Sequence, residues 1–213
     1  RRLAEEVIDC GKFALVNYEK SLNTDEANKD LLFSDEHIFS LRGQNVKSDA
    51  EGVHKQITGT DGNVQMASGY QSILYLGDLE DYRLNWYKSF YIIKYTSDNS
   101  ERFFPKMPMI RLSEMYLIAA EGWMEDDPEH AAELLQTLKQ ARTKSIVNKQ
   151  TVTEEMILLE MRKEFVGEGQ LFYVYKRLNH DIIGNTSEDG VKASNRVFVL
   201  PLPEEEIEYG YRN

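Results

Sequence analysis

The chain has 213 residues, enough for one or two folded domains, and its 41% hydrophobic and 29% charged content is ordinary for a folded protein. A formal net charge of −11 argues against a nucleic-acid partner, whose phosphates demand a basic face, and against attraction to anionic lipid. No apolar run approaches the ~20 residues that cross a bilayer as a helix.

Leu3, Ala4, Val7, Ile8 and Cys10 fall on one turn-spaced face, and Gly11 suits a left-handed helix end. Arg1-Arg2 is followed by LAEEVIDC rather than an apolar core, so no secretory leader is expected at this end. Cys10, the single cysteine, reads as a small buried core residue. Residues 12–34 are less regular, with a polar patch SLNTDEANKD. Glu36–Leu41, EHIFSL, predicts a short strand. From Arg42 to Gly69, glycines recur among polar residues and predict a long loop. Aromatic density then rises, with Tyr70, Tyr75, Tyr82, Trp86, Tyr87, Phe90, Tyr91 and Tyr95 in quick succession.

Pro108 fits the first turn of a helix, and Met109 to Ala120 is apolar nearly all the way round. Arg111, Glu114 and Glu121 form its one polar stripe. A stripe on a buried helix pairs with neighbours, because isolated charges are costly to bury; Glu114 is the expected partner of Arg111. Asp127 is a good N-cap for a second helix with Pro128 at its first position, and Ala131, Leu134, Leu135, Leu138 and Ala141 are its apolar face. The short turn Trp123–Asp126 makes the two an antiparallel pair. Thr151 and Glu154 have capping-box spacing for a third helix, with Ile157, Leu158, Met161 and Phe165 on its face. Gly167 and Gly169 end it, and Gln170–Leu178 predicts a fourth helix with Phe172 and Tyr175 inward. Residues 184–196 are a polar loop, Val197–Leu200 a short apolar run, and EEEIEYGYRN a charged tail.

Catalytic chemistry has no foothold in this pattern. His37, His54, His130 and His180 are far apart and in no metal-ligand spacing, and there is no nucleophile elbow, phosphate loop or cysteine pair. No catalytic residue, metal or cofactor is assigned.

Three ordered segments carry a resemblance. MPMIRLSEMYLIAAEG (107–122) resembles P-x-I-R-L-A-E-x-Y-L-x-x-A-E-A of the SusD/RagB-like family. EMRKEFVGEGQLFYVYKR (160–177) resembles its E-R-R-x-E-x-x-x-E-G-x-R-x-x-D-x-x-R region, and VFVLPLPEEEI (197–207) its closing L-P-I-P-x-x-E-I. Asp81-Tyr82-Arg83 is similar to a D-x-R element, Tyr91–Tyr95 to a K-Y strand, and EHIFSL to an E-I-I-F-S segment. Met161 and Leu171 stand where the family has arginines, and Val174 where it often has Asp, which puts individual salt bridges in doubt.

The resemblance implies a mainly α fold of tetratricopeptide-like helical hairpins, with a loop-rich insertion carrying short strands. One SusD-like C-terminal region is expected over 1–213: the end of N-terminal helical repeats (1–34), a loop-rich aromatic excursion (35–105), helical pairs (106–181) and a tail (182–213). It implies non-catalytic capture of oligosaccharides for a SusC-like TonB-dependent transporter, by a lipoprotein on the cell-surface side of the outer membrane. The anchor and first repeats would lie outside this sequence. A peptide-binding RagB-like relative and a helical-repeat scaffold are the alternatives, with a hydrolase behind them. Aromatic rings stack on apolar sugar faces, so Trp86, Tyr82 and Tyr87 are the candidate ligand contacts, with Asn85 as a hydrogen-bonding neighbour. Arg111, Glu114, Glu121, Arg162, Glu164, Glu168 and Arg177 are the residues the family motif makes structural.

Overall fold

A computed structural model of the chain describes residues 1–22, 30–43, 45, 48–49, 70–76, 78–88, 91–94, 106–184 and 190–201. Most of the glycine-rich loop, Phe90, Tyr95 and the tail from Leu202 lie outside the described residues. The chain forms two compact units, Arg1–Glu168 and Gly169–Asn213.

The first unit is helix-rich. Its described helices include α1 (Arg2–Asp9), α2 (Tyr18–Ser21), α3 (Tyr70–Leu74), α4 (Leu112–Trp123), α5 (Pro128–Gln140) and α6 (Glu154–Glu164), with 3-10 turns at Ser34–Glu36 and Tyr82–Trp86. Two small antiparallel sheets pair β1 (His37–Arg42) with β4 (Lys106–Arg111) and β2 (Tyr87–Lys88) with β3 (Tyr91–Ile92). The helix expected from Pro108 therefore starts later. Pro108 lies in β4 opposite Ser40, a place open to proline because the outer edge of a two-stranded sheet needs no N–H. The strand ends at Arg111, whose backbone is extended (φ −121°, ψ 157°), and helix begins at Leu112. Arg111 is thus not on the helix at all, and the expected polar stripe breaks up.

Helices α4 and α5 form the expected hairpin, packed face to face, with α1 and α6 also against α4. The Asp127 carboxylate accepts the His130 N–H at 3.1 Å, and Pro128 occupies the first turn. Ala131, Ala132, Leu134, Leu135 and Leu138 are buried. For α6 the cap is Thr153, not Thr151: its hydroxyl accepts the Met156 N–H at 3.3 Å. The most enclosed helix is α6, since Ile157, Leu158, Glu160, Met161, Arg162, Lys163 and Glu164 are all buried. Gly167 continues from its end at φ +74°, a left-handed conformation that favours glycine. Gly11 (φ +67°) follows the end of α1, and Cys10, the residue after its last turn, is exposed rather than buried.

A hydrophobic core gathers Val16, Leu31, Phe33, Leu74, Tyr75, Trp86, Tyr87, Ile92 and Val166. Tyr75, Trp86 and Tyr87 of the aromatic run are spent here.

The second unit contains α7 (Leu171–Leu178) and the one-turn helix α8 (Asn195–Phe198). Gly169 (φ +76°) leads into α7 and Asn179 (φ +47°) ends it. Ile182 and Val191 form a two-way backbone bridge at 2.9 Å, and the Asp181 carboxylate accepts from Lys192 Nζ at 2.6 Å and the Ala193 N–H at 2.8 Å. Tyr175 is buried, but Phe172, expected inward, is 41% exposed, because α7 is enclosed on only one side.

Candidate functional site

The best-defined polar constellation lies inside the first unit and centres on Glu164. Helix α6 carries Glu160, Lys163 and Glu164 into the interior; the first 3-10 turn supplies Glu36, the second Arg83 beside Asp81, and the end of β4 Arg111. Arg142 follows α5, and Lys94 follows β3. The Glu164 carboxylate, 0% exposed, accepts from Arg142 Nε at 2.7 Å, Arg83 Nη1 at 3.0 Å and Arg111 Nη1 at 3.1 Å. Arg142 also forks onto Glu36 through two 2.8 Å bonds, and Glu36 accepts the Val16 N–H at 2.9 Å. Arg83 grips Asp81 through Nε (3.0 Å) and Nη2 (2.6 Å) and reaches Glu160 at 2.9 Å, which also takes Lys163 at 2.8 Å. Arg111 donates to the Glu164 carbonyl at 2.8 Å and to Glu168 at 2.9 Å. Lys94 donates to the same carbonyl at 3.0 Å, pairs with Glu168, and sits 3.8 Å above the Trp86 ring.

Glu36, Asp81, Glu160, Glu164 and Glu168 face Arg83, Lys94, Arg111, Arg142 and Lys163, so these groups carry no net charge together. Burial alone would raise the Glu164 carboxyl, but Arg142, Arg83 and Arg111 hold it well below the usual carboxylate range. Glu160 is likewise lowered, by Arg83 and Lys163 against burial. For Lys94 burial wins: with the Arg111 charge it lowers the ammonium to about 8, against the pull of Glu168. Guanidinium forks and bidentate carboxylates satisfy the buried charges, the condition under which such a cluster is tolerated. The members are buried or half-buried and paired with one another. The network is a structural lock joining strand, turns and helices.

The candidate ligand contacts have the same fate. Trp86 is 0% exposed; its indole N–H donates to the Leu31 carbonyl at 2.7 Å and its ring lies 5.0 Å from that of Phe33. Tyr82 and Tyr87 are 5% and 8% exposed. Asn85, half-buried, donates to the Tyr82 carbonyl at 2.8 Å and holds its own turn. A stacking platform requires an open ring face, so these residues are corrected to core anchors. Among the motif residues, Arg111, Glu164 and Glu168 meet in the network, and Arg162 is buried in α6. Glu114 and Glu121 are half-buried on α4, and Arg177 is exposed on α7. The ion pairs found for Arg111 are with Glu164 and Glu168 rather than Glu114.

Sequence reasoning assigned no role to Glu36, Lys94, Arg142, Glu160 or Lys163. A signal existed for some: Glu36 opens an apolar strand, Lys94 follows Ile92-Ile93, and Glu160 sits among Leu158, Leu159 and Met161. Arg142 offers none. Among the described residues no group of three His, Cys, Asp or Glu could hold a metal, and no helix is long and apolar enough to cross a membrane.

With this helix-rich fold and ionic centre in view, the relatives are clear. The SusD family model matches residues 35–208, and the chain belongs to that family. A SusD superfamily protein from Bacteroides thetaiotaomicron VPI-5482 superposes with a TM-score of 0.73 at 24% identity, over 98% of this chain and 54% of that one. A SusD-like carbohydrate binding protein from Bacteroides vulgatus ATCC 8482 gives 0.67 at 15%, over 97% and 53%. Surface glycan-binding protein A from Bacteroides thetaiotaomicron, in complex with laminarihexaose, gives 0.58 at 18%, over 98% and 57%. The chain spans about half the length of these solved relatives. No curated protein matches it significantly in sequence.

Proposed function

We propose that the protein captures oligosaccharides at the cell surface without transforming them, and delivers them to a SusC-like TonB-dependent transporter. The observation that carries this reading is membership of the SusD family over 35–208; a structural neighbour that holds laminarihexaose supports the ligand class. On the same reading the protein is lipid-anchored on the outer face of the outer membrane, and its helical hairpins, tetratricopeptide-like in character, face the transporter. The buried centre of this network is consistent with a binding role, since the Glu164 carboxylate is tied to guanidinium groups away from solvent. No cofactor is needed. Titration calorimetry with a panel of neutral and acidic oligosaccharides should give saturable binding, with every sugar recovered unchanged after prolonged incubation. Released shorter products, or binding to peptides and to none of the sugars, would overturn the reading.

A further inference from the structure

We propose that one face of α7, formed by Phe172, Tyr173 and Lys176, is a sugar-contact patch; this rests on the glycan-capture reading above. Tyr173 is 69% exposed and Phe172 41%. Their rings stand 5.7 Å apart at 82°, an open corner of two flat surfaces. The corner is braced, since Phe172 packs at 5.9 Å on Phe198, which is buried in α8. Tyr175 faces the interior instead. Lys176 lies three residues beyond Tyr173 and four beyond Phe172, so helix geometry sets its stem beside both rings, and it is exposed.

A pyranose presents a C–H face that stacks on an aromatic ring and hydroxyls that need hydrogen bonds at the rim. Phe172 and Tyr173 supply the faces. The Tyr173 hydroxyl and the three N–H donors of Lys176 supply the rim. Tyrosine and phenylalanine lose little conformational freedom on binding, having two side-chain torsions each. Among the described residues the remaining exposed large apolar side chains are aliphatic or methionine apart from Phe39 on β1, and only Phe172 and Tyr173 set two exposed rings against each other.

The test is the oligosaccharide panel applied to the full chain and its variants. Tyr173→Ala should weaken binding about tenfold with an unchanged thermal midpoint. Phe172→Leu, which keeps an apolar contact on Phe198, should weaken it several-fold, and Tyr173→Phe should retain most of it. If the wild-type chain binds sugars and Tyr173→Ala binds them equally, the patch is wrong while glycan capture stands. If the wild-type chain binds none, glycan capture itself fails and takes the patch with it. If Tyr173→Ala instead abolishes a concentration-dependent self-association and spares sugar binding, α7 is a protein contact and the proposal is overturned.

Discussion

Glu164 receives three guanidinium groups within 3.1 Å and is fully enclosed. Removing its charge leaves Arg83, Arg111 and Arg142 short of a partner in the interior, so Glu164→Gln should cost ~3–5 kcal/mol of stability in urea unfolding. A loss below about 1 kcal/mol would show that the guanidinium groups re-pair locally. Trp86→Ala should also cost ~3–5 kcal/mol, because it empties the core and strands the Leu31 carbonyl. Glu114 behaves oppositely. Burial, opposed by Arg111, raises its carboxyl above the ordinary 4.5. Its ionisation therefore costs the folded state as pH rises through that range, and Glu114→Gln should leave the pH 7 thermal midpoint unchanged or higher. A clear fall would restore Glu114 as the structural partner of Arg111.

At the scale of elements, the α4–α5 hairpin and the apolar face of α6 were legible because helical periodicity and the Asp127-Pro128 cap are local signals. Strand β4 was not. Its residues read as the start of a helix, and only pairing with β1, some seventy residues earlier, makes them a strand. The aromatic run shows the same limit. Density told us that Tyr82, Trp86 and Tyr87 matter, but burial depends on Phe33 and Leu31, which lie far away in sequence. On α7 the periodicity pointed Phe172 inward and left Tyr173 without a role, since an eight-residue helix with one buried tyrosine looks from its sequence like any amphipathic segment. The choice between Thr151 and Thr153 is a local matter that can be measured directly. Thr153→Ala should lose ~1 kcal/mol of stability and Thr151→Ala nearly none. Equal losses would place the helix start earlier.

For the whole molecule, pH is the sharpest probe. Glu164 and Glu160 titrate below 4.5 in the folded chain, so their contribution to stability is complete above the unfolded value and is lost as pH falls through the folded ones. The thermal midpoint should drop steeply on acidification below about pH 4.5, with a shallower acid limb in Glu164→Gln. Lys94 acts at the other end. Its folded value is about 8 against an ordinary 10.5, so the unfolded chain holds the extra proton between them. Relative to Lys94→Met, the wild-type chain should gain stability as pH rises from 8 to 10.5. A flat difference across that range would mean that Lys94 keeps its proton inside the fold. The net charge of −11 is carried entirely outside the neutral network, so salt should affect the exposed acidic residues more than the centre.

The ionic centre also dictates an order of events during synthesis. Arg83, Arg111 and Arg142 leave the ribosome well before Glu164, which lies 81, 53 and 22 residues beyond them. Until α6 emerges, a nascent chain that buried these arginines would have too few carboxylates to answer them. The early segments are therefore expected to stay solvated until the unit closes over these long sequence separations. Refolding of the chain should accordingly be slow and slower still in Glu164→Gln, which stopped-flow fluorescence checks; equal rates would mean that the ionic centre closes after the folding barrier.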